Sequence, residues 1–225
     1  MKKSHLIYLL LFLLPAFPGR VAQAQAEKVD KTPSPSRIAE AESLFQKIND
    51  ANNGLKDYVT NLDIMVKTFG IGLNLKGELY YKEPEKVKLV LKNVPDFLSK
   101  HKHIFATKTI TGTMRKGFNS RVIGAESLNG APCWVMEMIP KREGSILSIR
   151  LWARKKDSAL LKILYHYRDG GVITLNQDFQ AEKGFLLPGR SYADIRFPKI
   201  QGTIEATYRD YRINTGLSDQ IFETS

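Results

Sequence analysis

The stretch NLDIMVKTFGIGLNLKGELYYKEPEKVKLVLK, residues 61–92, decides the fold. Leu62, Ile64 and Val66 alternate with Asn61, Asp63 and Lys67. Leu73, Leu75, Leu79 and Tyr81 then alternate with Asn74, Lys76 and Glu78, and Val87, Leu89 and Leu91 with Lys86, Lys88 and Lys92. A period of two sends successive side chains to opposite faces of a strand. Phe69-Gly70-Ile71-Gly72 and Lys82-Glu83-Pro84-Glu85 separate the runs with residues that reverse the chain. The reading is a three-stranded meander, apolar on one face and charged on the other.

Downstream the same period recurs over 121–125, 133–139, 146–154, 161–167, 172–177, 191–197 and 203–213, for roughly ten or eleven strands in all. Asn129-Gly130, Asp169-Gly170-Gly171, Lys183-Gly184 and Pro188-Gly189 mark the turns. Short turns make neighbouring strands antiparallel. Within 93–120, a short helical or loop excursion at 94–98 and a strand at 104–110 are the readings.

Upstream the period changes to that of a helix. Ile38, Ala41, Phe45, Ile48 and Leu55 follow one stripe with Leu44 beside it, Ser34 or Ser36 caps the start and Gly54 ends it, which predicts a helix over 37–53. Residues 27–36, EKVDKTPSPS, carry charge and prolines without apolar periodicity and read as a flexible lead-in. Neither a helix stripe nor a sheet face can bury itself alone, so the stripe belongs against the sheet. The expected fold is mainly β with helices (α+β). It is a curved antiparallel sheet forming a half-open barrel over 37–225, with the N-terminal amphipathic helix across its concave face.

The first residues point to export. Met1-Lys2-Lys3 is basic, Leu6 to Leu14 is LIYLLLFLL, and Pro15, Pro18 and Gly19 follow. Two small-x-small sites, Ala22-Gln23-Ala24 and Ala24-Gln25-Ala26, suit a signal peptidase. The apolar run is shorter than the ~20 residues a spanning helix needs, so 1–26 reads as a cleavable signal peptide. Cleavage would remove Lys2, Lys3 and Arg20 and lower the formal charge from +11 to +8.

A charge that high invites nucleic acid, anionic lipid or an acidic partner, and export argues against nucleic acid. Catalysis leaves no signature: there is no His-Glu-x-x-His, no Gly-x-Ser-x-Gly and no Gly-rich phosphate loop. His101 and His103 sit among Lys100, Lys102 and Lys108, a field hostile to a metal cation, and His166 lies between two tyrosines in a strand. No enzyme, cofactor or metal is expected. Cys133 has no disulfide partner and reads as a small buried residue.

Several segments carry a resemblance. The C-terminal YRDYRINTGLSDQIF, 208–222, is similar to the last strand and tail of the outer-membrane lipoprotein-sorting, LolA/LolB-like carrier superfamily. So, in the same order, are LYYKEPEKVKL at 79–89, NGAPCWVME at 129–137 and GFLLP at 184–188. The resemblance implies a half-open barrel whose apolar cavity shields acyl chains across an aqueous compartment. It implies a carrier for a lipid or lipoprotein, which with the export signal is expected to be a monomer and periplasmic where the organism has an outer membrane. Basic residues that cluster at a rim are read as a means of attracting phospholipid head groups or an anionic membrane surface, and membrane donor or acceptor proteins are the other partners expected. The alternative is an envelope sensory or scaffolding module of the same fold that binds a protein partner.

Alternation supplies the candidate cavity lining: Leu62, Ile64, Val66, Leu73, Leu75, Leu79, Tyr81, Val87, Leu89 and Leu91. Trp134, Met136 and Met138 share a face opposite Cys133, Val135 and Glu137, and the Trp134 face is read as inward. Ile38, Ala41, Phe45 and Ile48 form the helix lid. An acyl chain on such a face would gain ~0.8 kcal/mol for each methylene removed from water.

Overall fold

The computed structural model describes residues 35–68, 70–84, 86–92 and 116–223. The expected signal peptide, most of the expected lead-in, and the expectations at 94–98 and 104–110 lie outside the described residues. Helix α1 spans Pro35–Asp50, starting two residues before the expected 37 and stopping three before 53. Proline is well suited to a first helical turn, where its missing N–H costs nothing. The chain leaves α1 through a turn that Gly54 completes at φ 91°.

Ten strands follow: β1 Asp57–Thr68, β2 Ile71–Lys82, β3 Lys86–Lys92, β4 Phe118–Leu128, β5 Ala131–Pro140, β6 Ile146–Arg154, β7 Leu160–Tyr167, β8 Val172–Glu182, β9 Phe185–Phe197 and β10 Ile200–Ile213. A short helix, α2, Gln220–Glu223, closes the described chain. The strands form one antiparallel sheet in the order β3-β2-β1-β10-β9-β8-β7-β6-β5-β4. The first strand pairs with the last, from Tyr58 opposite Ile213 to Thr68 opposite Gly202. Among the described strands the outermost are therefore β3 and β4, which flank residues 93–115.

The expected turn at Pro188-Gly189 is instead a bulge inside β9. Asp178 faces Arg190 and Phe179 faces Pro188, so Gly189 is the extra residue and the strand begins at Phe185 instead of 191. A bulge tolerates a proline without a ladder N–H. The turns at Asn129-Gly130 and Lys183-Gly184 do reverse the chain, with both residues of each at positive φ as a tight hairpin turn requires.

One apolar cluster runs from α1 across the whole concave face, joining Phe45 and Ile48 to Leu62, Leu75, Met136, Ile149, Ile163, Leu175 and Ala206. A second, smaller cluster lies on the convex face, where Cys133, Val135 and Trp152 pack with Ile123, Leu128, Leu161 and Leu164. The Trp152 indole N–H donates to Glu126 at 2.8 Å, and the Lys162 ammonium sits 4.7 Å from the ring centre. Cys133 is fully buried, and burial pushes its thiol above the usual range.

Candidate functional site

Strand register divides the barrel into two ends. At one, β1 enters beside the end of β2 and the end of β10, and α1 connects to it through 51–56. There the Asn52 side-chain amide donates to the Leu186 carbonyl at 2.9 Å, and its oxygen accepts from the Leu186 N–H at 2.8 Å, fastening the turn after α1 to the start of β9. Ala41, Leu44, Phe45 and Ile48 are buried against the sheet. Spacing of three and four residues places them on one face of α1, which is why the lid forms there. Ile38, named with them from the sequence, is 43% exposed.

The lining candidates separate by depth. Leu62, Ile64, Leu75, Leu79, Tyr81, Met136 and Met138 are buried in the concave cluster. Val66, Leu73, Val87, Leu89 and Leu91 are partly buried and pack against it. Gly77 helps β3 to close over the face: a methyl group in place of its hydrogen would lie 3.2 to 3.3 Å from the Leu91 and Leu89 side chains and 2.9 Å from the Val90 carbonyl oxygen. Trp134 shares the Met136 and Met138 face but stands at its margin, 38% exposed. With Leu44, Lys47 and Val122 it lines a groove of about 140 Å³ beside α1, and the Lys155 ammonium lies 4.0 Å from its ring centre.

Among the described residues the other end, where β1 meets β2 and β9 meets β10, is the less covered one and is called the mouth. Val66, Leu73, Phe118, Ile146 and Phe197 reach it as partly buried side chains that still touch the core. Phe118 and Ile146 continue into a groove of about 580 Å³ whose rim carries Lys116, Lys141 and Arg142. Sequence reasoning did not assign Phe118, Ile146 or Phe197 to the site. The alternation that found Leu62 and Leu75 runs equally through β9 and would have reached Phe197, whereas Ile146 is out of phase with Ile149 and Leu151 and joins them only through the irregularity between Ile146 and Ser148.

Polar groups are held inside the α1 end. Tyr58 stacks on Tyr81 at 5.1 Å between ring centres and meets Tyr211 edge-on at 5.3 Å. The Tyr211 hydroxyl donates to the Pro188 carbonyl at 2.7 Å, and Gln177, Ser191 and Tyr208 form a buried chain with 3.3 Å links. Burial raises the phenols of Tyr58, Tyr165 and Tyr211 and pushes those of Tyr167 and Tyr208 up to about 12. They are neutral groups, suited to lining an apolar interior and not to proton transfer near neutral pH.

His166 lies with Ser148 at 3.5 Å on the convex side, away from the concave cluster. His101 and His103 lie outside the described residues. Among the described residues no group of three or more His, Cys, Asp or Glu is gathered as a metal site, and no helix is long and apolar enough to cross a membrane.

No family model and no curated protein matches the sequence. Solved structures do match the fold. A putative outer membrane lipoprotein-sorting protein domain from Vibrio parahaemolyticus is 14% identical, with a TM-score of 0.66 over 82% of this chain and 97% of that one. A DUF1329 family protein from Desulfovibrio piger is 13% identical, with a TM-score of 0.65 over 83% and 97%. A LolA superfamily protein from Nitrosomonas europaea is 15% identical, with a TM-score of 0.61 over 81% and 96%. The open ten-stranded sheet with its helix on the concave side is the LolA-like fold.

Proposed function

We propose that the protein is an exported, non-enzymatic carrier that holds a lipid, or the acyl part of a lipoprotein, against its concave face while it crosses the envelope. In an organism with an outer membrane it would act in the periplasm, in lipoprotein sorting. The proposal takes residues 1–26 as a cleaved signal peptide and 37–225 as the working domain, acting as a monomer.

The observation that carries the reading is the concave face itself. Among the described residues, ten strands turn one apolar side toward one long helix, and the apolar side chains stay only partly covered toward the mouth. An acyl chain admitted there would lie along Val66, Leu73 and Leu91. It would run inward toward Met136 and Met138, whose flexible side chains can yield to chains of different length. Burial at ~0.8 kcal/mol per methylene gives useful affinity from part of a fatty chain, and with no covalent step the cargo can leave again.

Native mass spectrometry with organic extraction tests this on the protein purified without detergent from its own envelope fraction. The expected result is a stoichiometric lipid or acylated peptide. A clean apo mass, with no uptake of added phospholipid or lipopeptide, overturns carriage and favours the module that binds a protein partner. Arginine at Leu75, inside the face, should abolish uptake or folding, whereas Lys88→Glu on the opposite face should be mild. Equal effects would overturn the assignment of faces.

A further inference from the structure

The two ends of the barrel differ in charge. The segments at the mouth carry Lys116, Lys141, Arg142, Arg168 and Lys199 against only Glu143 and Asp169. At the α1 end the connecting segments carry Lys56, Lys155, Lys156 and Lys183 against Glu83, Asp157 and Asp219, a nearly even balance. The excess positive charge of the described loops therefore gathers around the opening.

Pairing sharpens the contrast. Along the strands the arginines are matched: Arg121 with Glu137, Arg190 with Glu205, Arg196 with Asp194 and Arg209 with Asp63. Lys116, Lys141, Arg142, Arg168 and Lys199 make no ion pair among the described residues. Arg168 spends its Nε–H on the Gly144 carbonyl at 2.9 Å, and the Lys141 N–H bonds the Gly117 carbonyl at 2.8 Å, holding two of the basic segments side by side. Asp169 is occupied in its own turn, accepting the Gly171 N–H at 2.9 Å. A protein that neutralises its arginines on the sheet and leaves this ring uncompensated presents a positive field at one end only.

The same end exposes apolar side chains. Ile71, just past the β1–β2 turn, is 66% exposed, and Ile139 and Leu147, 42% and 44% exposed, flank the β5–β6 loop. Cations beside projecting aliphatic groups match an anionic lipid surface, where the cations meet headgroups and the aliphatic groups reach the acyl boundary. An acidic protein would satisfy the lysines and leave Ile71 and the apolar mouth without a counterpart.

We propose that this end of the barrel docks on a membrane rich in anionic phospholipid, with the groove between Lys116, Lys141 and Arg142 seating headgroup phosphates and the mouth held against the acyl layer. The inference rests on the carrier reading for its purpose, and its test is separable from it. Each cation near such a surface strengthens partition roughly fivefold at moderate salt.

Sedimentation with phosphatidylcholine vesicles, with and without phosphatidylglycerol, measures docking on the mature protein. In the same preparations, uptake of a fluorescent fatty acid from water measures the face. Wild-type protein should partition onto the phosphatidylglycerol vesicles, and less so as salt rises. The pair Lys141→Glu and Arg142→Glu should weaken partition by at least about tenfold, while Lys156→Glu with Lys183→Glu at the far end should leave it unchanged. No preference for anionic vesicles, or equal losses from both pairs, overturns the docking. If the fatty acid is taken up in that case, carriage survives; if docking is specific to the mouth but no fatty acid is taken up, docking stands and carriage falls.

Discussion

At the residue scale, the interior shows how the same side chain can stabilise or strain a core. Tyr58 and Tyr211 touch, both are buried, and they differ in their hydroxyls: that of Tyr211 donates to the Pro188 carbonyl, whereas that of Tyr58 has no hydrogen-bond partner among the described residues. A buried hydroxyl without a partner costs about 1–3 kcal/mol, and a satisfied one contributes about 1. Tyr58→Phe should therefore raise stability or leave it unchanged, and Tyr211→Phe should lower it by about 1 kcal/mol, read from urea midpoints. The reverse order would show that Tyr58 has a partner in solution. Asp57 holds the C-terminal tail, a role that its neighbours in the sequence do not signal. In the sequence it is one polar residue ahead of the first alternating run. In the fold its carboxylate accepts from the N–H groups of Thr215 at 2.7 Å and Gly216 at 3.0 Å, and from the Thr215 hydroxyl at 3.1 Å, fixing the tail to the start of β1. Those partners lie more than 150 residues away, and no local pattern announces them.

At the scale of elements, strands were readable because the face they bury imposes alternation, and each one-residue slip would turn the wrong side chains inward. β6 matches its expected bounds for this reason. The pairing of β1 with β10 was not readable, since alternation tells a strand which side to bury and is silent on its neighbour. β9 was under-read because Pro188 and Gly189 give the same local signal for a bulge as for a turn. The helix was readable as an element, but its stripe overreached at one end. Ile38 has the right spacing, and the described sheet leaves it exposed. This yields a sharp comparison: Phe45→Ala should cost about 3–5 kcal/mol by leaving a cavity under α1, while Ile38→Ala should cost under about 0.5 kcal/mol. Thermal melts of both variants check it, and similar losses would mean that Ile38 is covered in solution.

At the scale of the whole molecule, the buried tyrosines give the barrel a defined alkaline limit. Tyr58, Tyr165, Tyr167, Tyr208 and Tyr211 all have phenols raised above the ordinary value of 10.0, with burial the first cause in each case. Burial penalises the phenolate, so folding favours the protonated form. Below pH 10 both the folded and unfolded chains hold these protons, and their contribution to stability is complete. Above it the unfolded chain releases protons that the folded chain keeps, so stability falls with rising pH through the folded value, about 12 for Tyr167 and Tyr208. Five groups drawn from β1, β7 and β10 act on one cluster, so their losses add and the sheet should open as a unit. Urea midpoints should stay level with respect to these groups up to about pH 10 and drop steeply between there and pH 12. The phenolate absorbance of the buried set should then appear together with loss of the β-sheet circular dichroism signal. Phenolates forming smoothly from pH 10 with the sheet intact would mean that water already reaches these tyrosines in the folded protein.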